Sequence, residues 1–443
     1  MSNGKCLPIR IEQHLSKASW ATAAQLFQLV YGVAAVFLII RVIPPNEFGS
    51  YVLAQGIIQI ISMVGGATVY RQMVRELSRE SWDRSLPANS FLLSLLLQAI
   101  LLAPFYLFRV QIAALLNAPL LSDLLTLIVP LYLSAMFLKT FAQRIIISKR
   151  TPNLLFLANG TYFLFLIAGL VYLNVNGELR TARQVLMLST ISAFASAAVG
   201  WLLSLDLLRR VKLEISAQHF RKILSFGKYS LGAATANTIA NRVDSYVISY
   251  LLGPLQVAYY NSAKFIYKFY QTISQVLDVT LFPYGSMLAS ENRLEDLKVL
   301  YEKIVCFIYI VLIPVNVAAL FLAKPLMTFI YEGRYEGSYV VLQILIVTAT
   351  FLPISSIGAF LAFALDKPKL VLYARVINLS TVLLFGFILI DRVGIAGMAV
   401  ALSLGVVVQS VYLTAVIRKH LPVSLIGVLS RTKDVYHFLR KLV

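Results

Sequence analysis

Long apolar stretches alternate with short polar connectors along almost the whole chain. About a dozen of these stretches, each of roughly 18–25 residues with few or no charges, can cross a bilayer core of about 30 Å as α-helices. Their apolar residues do not alternate with a period of two, so the pattern predicts helices and not the strands of a barrel. The predicted spans are 18–41, 50–70, 88–108, 122–145, 154–174, 184–205, 229–251, 256–282, 300–322, 338–364, 370–390 and 394–417.

The composition supports the same fold class. Of the 443 residues, 59% are hydrophobic and only 13% are charged. A soluble domain of this length needs far more polar surface to cover its core. We therefore predict an all-α polytopic membrane protein with about twelve transmembrane helices.

The net charge of +19 could indicate a nucleic-acid partner, but the positions of the basic residues point elsewhere. If the N-terminus is cytoplasmic, most of the 39 Lys and Arg residues fall in cytoplasmic connectors and termini. Membrane proteins show this asymmetry as the positive-inside rule, and anionic lipid headgroups reinforce it. We expect both termini in the cytoplasm, contact with membrane lipid and no nucleic acid. Lys139 and Arg144, near the end of the fourth span, are expected at the interface.

The connector at 206–228 divides the chain into two halves. The first half, 1–205, and the second, 229–417, each contain six predicted spans. A basic amphipathic cytoplasmic tail follows at 418–443. The sequence therefore predicts two six-helix lobes, a cytoplasmic connector and a tail.

The two halves carry a weak internal repeat. Residues 45–51 align with residues 254–260, with a proline at the first position and a tyrosine at the last position of both. Both stretches join the first and second spans of their half. Because each half has an even number of spans, the copies have the same orientation, which is a parallel repeat as in many transporters.

Polar residues on the eighth predicted span are spaced three and four apart, so they share one face of a helix. They are Asn261, Lys264, Lys268, Gln271, Gln275 and Asp278. A helix surrounded by lipid would not carry such a face, so it must line water or protein. The seventh span is similar, with Asn237, Asn241 and Asp244 on one face and Arg242 in an adjacent row.

The equivalent spans of the first half are polar but uncharged. Gln55 and Gln59 of the second span match Lys264 and Lys268 in the repeat, and Gln28 of the first span matches Asn237. The simplest target shared by all these polar faces is a central cavity between the halves.

Three cations, Arg242, Lys264 and Lys268, are predicted to lie in the middle of the membrane. Each would cost about 2.5–3.5 kcal/mol if left in lipid. Since only Asp244 is near enough to neutralise them, the cavity is expected to be positive and to suit an anionic ligand, with phosphate the obvious class. Alternatively, Asp244 pairs with one cation, while the others hydrogen-bond to carbonyl groups or extend to the interface.

These patterns define a set of predicted substrate-binding residues. They are Arg242, Lys264, Lys268, Asn237, Asn241, Gln271, Gln55, Gln59 and Gln28. The predicted spans contain no His/Asp/Glu cluster with metal-ligand spacing, and the chain has no Walker-type loop, dinucleotide fingerprint or nucleophile elbow. We therefore expect no metal, no cofactor and no enzymatic activity.

Four short motifs resemble those of one transporter family. They are Gly-Pro-x-x-x-Ala-x-Tyr at 253–260, Phe-Gly-Ser-Tyr at 48–51, Arg-x-Asp at 242–244 and Phe-Pro at 282–283. Together with six-plus-six spans, they resemble the polysaccharide transporter family of the multidrug/oligosaccharidyl-lipid/polysaccharide exporter superfamily.

This resemblance implies a flippase with two six-helix lobes around a central cavity, in the bacterial cytoplasmic (inner) membrane. Its substrate would be an undecaprenyl-diphosphate-linked oligosaccharide, the repeat unit of O antigen, capsule or exopolysaccharide, moved by alternating access. Polymerase and chain-length proteins of the pathway would be partners. Coupling to H⁺ or Na⁺ is plausible in this family, with Asp244 and Asp278 as the candidate carboxylates.

Two other functions stay open from the sequence. One is a multidrug exporter of the same superfamily, although a cationic drug would favour a cavity lined by carboxylates. The other is a membrane enzyme of polysaccharide assembly. The short outer connectors and the lack of a histidine within the spans disfavour that enzyme.

Overall fold

The computed structural model describes residues 31–78, 82–149, 151–423 and 425–432, which fold as α-helices without β-strands. The predicted all-α fold is thereby confirmed. The main helices of the described residues are α1 (Tyr31–Val42), α2 (Pro45–Leu77), α3 (Leu86–Leu107), α4 (Pro119–Ser148), α5 (Pro152–Val175), α6 (Ala182–Leu202), α7 (Ala217–Leu252), α8 (Pro254–Ser290), α9 (Leu294–Tyr331), α10a and α10b (Glu336–Ala349 and Leu352–Ala364), α11 (Pro368–Val393) and α12 (Ile395–Arg418).

Eight helices in the described ranges are long and apolar enough to cross a membrane, namely α2 to α6, α9, α11 and α12. A ninth span exists if α10a and α10b, which meet at 40°, form one broken span. Helices α7 and α8 carry the polar faces seen in the sequence and do not meet the same criterion of length and hydropathy. The chain is a multi-pass membrane protein, and a total of twelve spans stays a prediction.

Proline and glycine mark many of the helix ends. Because proline lacks an N–H and has a fixed φ, it suits the first position of a helix. It occupies that position in five of the helices named above, at Pro45, Pro119, Pro152, Pro254 and Pro368. Gly253, at φ 83°, separates α7 from α8, and Gly394, at φ 60°, separates α11 from α12. Residues other than glycine rarely adopt these angles.

The chain divides into two compact units. The first comprises Met1–Ala114 and Pro119–Thr235, and the second comprises Leu115–Ala118 and Ala236–Val443. The division falls inside α7, after the connector that the sequence places at 206–228. The predicted division into two lobes of six spans stays a prediction.

Aromatic side chains pack α3, α4 and α6 together in the first unit. The ring of Phe141 on α4 lies 5.0 Å from that of Phe91 on α3 and 6.0 Å from that of Trp201 on α6. Trp201 Nε1 also donates to the carbonyl oxygen of Leu138 at 3.2 Å. Such pairs add to the burial of apolar area, so this cluster is a main contact among these helices.

A capping box starts α6. The hydroxyl of Thr181 accepts from the backbone N–H of Gln184, and the side chain of Gln184 accepts from the backbone N–H of Thr181. We expect Thr181→Ala to lower the free energy of unfolding by about 1 kcal/mol, because the backbone N–H of Gln184 loses its partner at the end of the helix. Thermal unfolding of the purified protein in detergent measures this loss. Thr181→Ser should behave as wild type, and an unchanged midpoint in Thr181→Ala would contradict the assignment.

Helices α11 and α12 approach each other closely at Gly397. A Cβ atom at this position would lie 2.3 Å from the carbonyl oxygen of Leu389. We expect Gly397→Ala to destabilise the second unit by about 1–3 kcal/mol, because the backbone itself would have to move. A lower unfolding midpoint would show this. The matched control is Gly337→Ala, where an added Cβ meets nothing within 4 Å. Equal midpoints for the two variants would refute the close approach.

Carbonyl groups at the break between α10a and α10b accept hydrogen bonds from side chains of neighbouring helices. The hydroxyl of Tyr309 on α9 donates to the carbonyl oxygen of Thr350 at 2.6 Å. The hydroxyl of Ser410 on α12 shares its one proton between the carbonyl oxygens of Phe351, at 3.2 Å, and Val406, at 2.8 Å. Non-helical backbone at membrane depth needs partners of this kind.

Candidate functional site

Helices α7 and α8 meet through a buried polar cluster in the second unit. The side chains of Lys264 and Asp244 form an ion pair, with exposed fractions of 7% and 1%. The hydroxyl of Tyr260 donates to the same carboxylate oxygen, Oδ2, at 2.8 Å. Lys264 Nζ also donates to the carbonyl oxygen of Asn241 at 3.2 Å. The buried charges are therefore paired and hydrogen-bonded, which membrane burial requires.

A second set of hydrogen bonds fixes α8 against α7 beside this pair. Asn261 Nδ2 donates to the hydroxyl oxygen of Ser245 at 3.0 Å and to the carbonyl oxygen of Val257 at 2.9 Å. On the loop at 115–118, Asn117 Nδ2 donates to the carbonyl oxygen of Tyr250 at 2.7 Å. The ion pair therefore lies in a rigid frame.

Lys268 is the accessible cation of this region. It lies one turn after Lys264 on α8, its side chain is exposed, and it forms no ion pair within the described part of the chain. Arg242 is half-buried and lies with Asp244 and Lys264 within electrostatic range of Lys268. Because Asp244 and Lys264 neutralise each other, the ammonium group of Lys268 is the charge that these three residues leave for a ligand.

The remaining predicted residues of the second unit lie on the same two helices. Asn237 and Asn241 have exposed side chains on α7, and Gln271 is half-buried on α8. Asp278 falls within α8, but its side chain lies outside the described residues. The structure therefore gathers Arg242, Lys264 and Asp244 around Lys268.

The predicted glutamines belong to the first unit. Gln55 on α2 is half-buried, and its Nε2 donates to the hydroxyl oxygen of Tyr51 at 3.3 Å. Gln59, one turn further along α2, is exposed. Gln28 lies outside the described residues. Whether these glutamines contact substrate stays a prediction.

The contribution of Tyr260 was not predicted from the sequence, which used this residue only as part of a motif. Tyr260 precedes Lys264 by four residues, so both side chains leave the same helix face and can reach one carboxylate. The spacing was visible in the sequence, but the position of Asp244 opposite both residues was not.

Lys139 is a second buried cation, on α4 in the first unit. Its predicted position at the membrane interface stays a prediction, and its side chain is buried within the first unit. Its Nζ lies 3.7 Å from the ring centroid of Tyr162, and it forms no ion pair with any described residue. The ring stabilises the charge by a cation–π interaction. Only the fold shows that α5 brings this ring to Lys139.

Several solved structures share this fold. The lipid II flippase MurJ in an inward closed conformation has a TM-score of 0.73 and 16% identity, over 92% of this chain and 89% of that one. An inward-facing multidrug resistance MATE transporter of the MOP superfamily has a TM-score of 0.72 and 15% identity, over 88% and 94%. The bent form of the Vibrio cholerae MATE transporter VcmN has a TM-score of 0.56 and 13% identity, over 94% and 98%. The chain thus has the fold of flippases and multidrug transporters of this superfamily.

Sequence comparison identifies the family. An uncharacterized membrane protein of Methanocaldococcus jannaschii is 23% identical over 202 residues, which are 45% of this chain and 40% of that relative. The match therefore spans less than half of that relative's length. The family model described as "Polysaccharide biosynthesis protein" matches residues 38–340, more than half of the chain. The chain belongs to this polysaccharide biosynthesis protein family.

Proposed function

We propose that the protein is a flippase that carries undecaprenyl-diphosphate-linked oligosaccharides from the cytoplasmic to the periplasmic leaflet by alternating access. The observation that carries this proposal is the exposed Lys268 beside Arg242 and the buried Asp244–Lys264 pair. Membership of a polysaccharide biosynthesis family and the flippase-like fold support it. The oligosaccharides would be repeat units of O antigen, capsule or exopolysaccharide.

The charges of the cluster suit a diphosphate. Lys268 presents an ammonium group to an incoming ligand, and Arg242 adds positive potential from the neighbouring helix α7. Phosphate oxygens accept strong, charge-assisted hydrogen bonds from such groups. Asn237, Asn241 and Gln271 supply uncharged polar groups for the ligand on the same two helices.

The paired residues offer a route to ion coupling. A diphosphate bound at Lys268 would compete with Asp244 for the ammonium group of Lys264. If Lys264 turned to the substrate, Asp244 would keep its hydrogen bonds from the hydroxyl of Tyr260 and the backbone N–H of Ser245, would lose its cationic partner, and could take up H⁺ or Na⁺. We propose Asp244 as the coupling carboxylate, with Asp278 further along α8 as a second candidate.

A multidrug exporter is the competing transporter function, since the same fold serves MATE proteins. Cationic drugs would meet the positive charge of the exposed Lys268, which opposes their binding at this cluster. A membrane enzyme of polysaccharide assembly would need a catalytic group. In the described residues, no three His, Cys, Asp or Glu side chains could hold a metal ion.

We place the protein in the bacterial inner membrane with both termini in the cytoplasm, because most basic residues fall in the connectors on one side. Polymerase and chain-length proteins would use the translocated repeat unit and are the expected partners.

Mass spectrometry of lipid-linked intermediates after deletion of the gene in its native host tests this proposal. We expect the complete single repeat unit on undecaprenyl diphosphate to accumulate on the cytoplasmic side. Truncated intermediates, or single units that reach the surface, would indicate an enzyme of the pathway instead. Unchanged intermediates would favour a drug exporter.

A further inference from the structure

The first unit contains a partly open cavity of about 410 Å³ beside the connector that follows α6. Every residue that lines it is apolar. Helices α3, α4 and α6 contribute Phe91, Phe141 and Trp201 among others. A cavity with such walls binds hydrocarbon in preference to water.

An extended segment, residues 211–216, forms the other wall and is called the strap below. Its apolar residues alternate with polar ones, so Val211, Leu213 and Ile215 face the cavity. The side chains of Leu213 and Ile215 are 88% and 69% exposed. Apolar side chains left so exposed on a connector at the membrane surface can bury their area only against lipid or a partner.

Hydrogen bonds hold the strap to the start of α3. The backbone N–H of Lys212 donates to the carbonyl oxygen of Arg84 at 2.9 Å. Asn89 Nδ2 donates to the carbonyl oxygen of Glu214 at 2.7 Å, and Asn89 Oδ1 accepts from the backbone N–H of Ser216 at 2.9 Å. The wall is therefore a fixed part of the unit, and the cavity is preformed.

Basic residues flank the walls of the cavity. Arg209 and Arg210 lie between the lining residues Leu208 and Val211, and the carbonyl group of Arg84 bonds to the strap. All three arginines are exposed and form no ion pair with another described side chain. The described carboxylates nearby already have side-chain partners, in the pairs Asp83–His219, Asp206–Lys149 and Glu214–Lys212. An occupant with an apolar chain and an anionic head matches both features.

We propose that this cavity is a binding site for an anionic phospholipid of the inner leaflet. One acyl chain would lie against Trp201 and Phe91, and the phosphate would face Arg84, Arg209 and Arg210. If each segment of the chain takes up about 30 Å³, the volume of one water molecule, the cavity holds on the order of a dozen segments. This volume accommodates much of one acyl chain. An undecaprenyl chain is several times longer, so this site is distinct from that of the proposed transport substrate.

Quenching of Trp201 fluorescence by brominated lipid tests the proposal. The full chain, with Trp20→Phe and Trp82→Phe so that only Trp201 fluoresces, is titrated in detergent with phosphatidylglycerol or phosphatidylcholine carrying brominated acyl chains. We expect saturable quenching, with half-saturation at least fivefold lower for phosphatidylglycerol. Equal curves for the two lipids would show a non-specific crevice and overturn the proposal, and so would an absence of quenching.

Two kinds of variant locate the lipid. Replacement of Arg84, Arg209 and Arg210 by Gln should remove the preference for phosphatidylglycerol, while the exposed control Arg180→Gln should keep it. Ala88→Phe fills the cavity and should abolish quenching. If Ala88→Phe lowers the unfolding midpoint, Leu213→Ser, on the exposed strap, replaces it and should weaken quenching. Quenching that survives in the folded variant would place the lipid elsewhere and overturn the site.

Competition with undecaprenyl phosphate separates this proposal from the transport function. We expect unbrominated phosphatidylglycerol to reverse the quenching at lower concentration than undecaprenyl phosphate does. The opposite order would assign the cavity to the transport substrate and overturn the phospholipid site. Since none of these variants alters Lys268 or its neighbours, failure of this proposal would leave the proposed flippase function untouched.

Discussion

A Lys268→Gln variant is expected to lose transport by about tenfold to a hundredfold while its level in the membrane stays normal. The loss corresponds to a charged hydrogen bond of about 1.5–3 kcal/mol, at tenfold for each 1.4 kcal/mol. Because Lys268 is exposed and forms no ion pair in the described residues, its replacement leaves no buried partner unsatisfied. The accumulation of lipid-linked repeat units in a complemented deletion strain measures the defect.

Two variants serve as controls for Lys268→Gln. Lys268→Arg keeps the charge and should retain most of the transport. Arg180→Gln removes an exposed cation of the first unit and should transport normally. A Lys264→Gln/Lys268→Gln double variant should abolish transport. Intact transport in that double variant would remove both lysines from the substrate site.

Breaking the buried pair should have the largest effect on stability. We expect Asp244→Asn and Lys264→Gln each to lower the free energy of unfolding by about 3–5 kcal/mol, because each leaves an unpaired charge in a buried site. The double variant Asp244→Asn/Lys264→Gln should lose much less than the sum, since no charge is left unpaired. Unfolding midpoints of the four proteins in detergent form the double-mutant cycle.

The cycle also stays informative when a single variant fails to fold. In that case the double variant should recover expression and a single symmetric peak on gel filtration. A double variant as unstable as the sum of the singles would show that Asp244 and Lys264 do not interact in the folded protein. Tyr260→Phe is the milder comparison and should cost about 1 kcal/mol, the value of one hydrogen bond.

Much of the helical architecture could be predicted from the sequence because membrane burial forces a simple pattern. Every predicted span from 50–70 onwards overlaps a helix, and only the first lies largely outside the described residues. The ends of the helices were less predictable than their existence. Helix α7 begins at Ala217, well before the predicted span at 229–251, because a basic segment can continue a helix outside the hydrocarbon.

The sequence predicted the candidate site only as polar faces on separate helices. The spacing along α8 placed Lys264 and Lys268 on one face, but it could not say which of them meets Asp244. That choice depends on the turn at Gly253 and on how far α8 is shifted along α7. The strap and its cavity could not be predicted from the sequence, because an alternation over only six residues is too short to be distinguished from chance.

The break in the tenth span has a consequence for how this part of the protein can move. Tyr309 and Ser410, on two different helices, donate to the carbonyl oxygens of Thr350 and Phe351. Straightening the span would require both bonds to be given up, in surroundings with little water to replace them. The bend therefore links α9 to α12. We expect α9, the broken helix α10a–α10b and α12 to move together as one rigid group during a transport cycle.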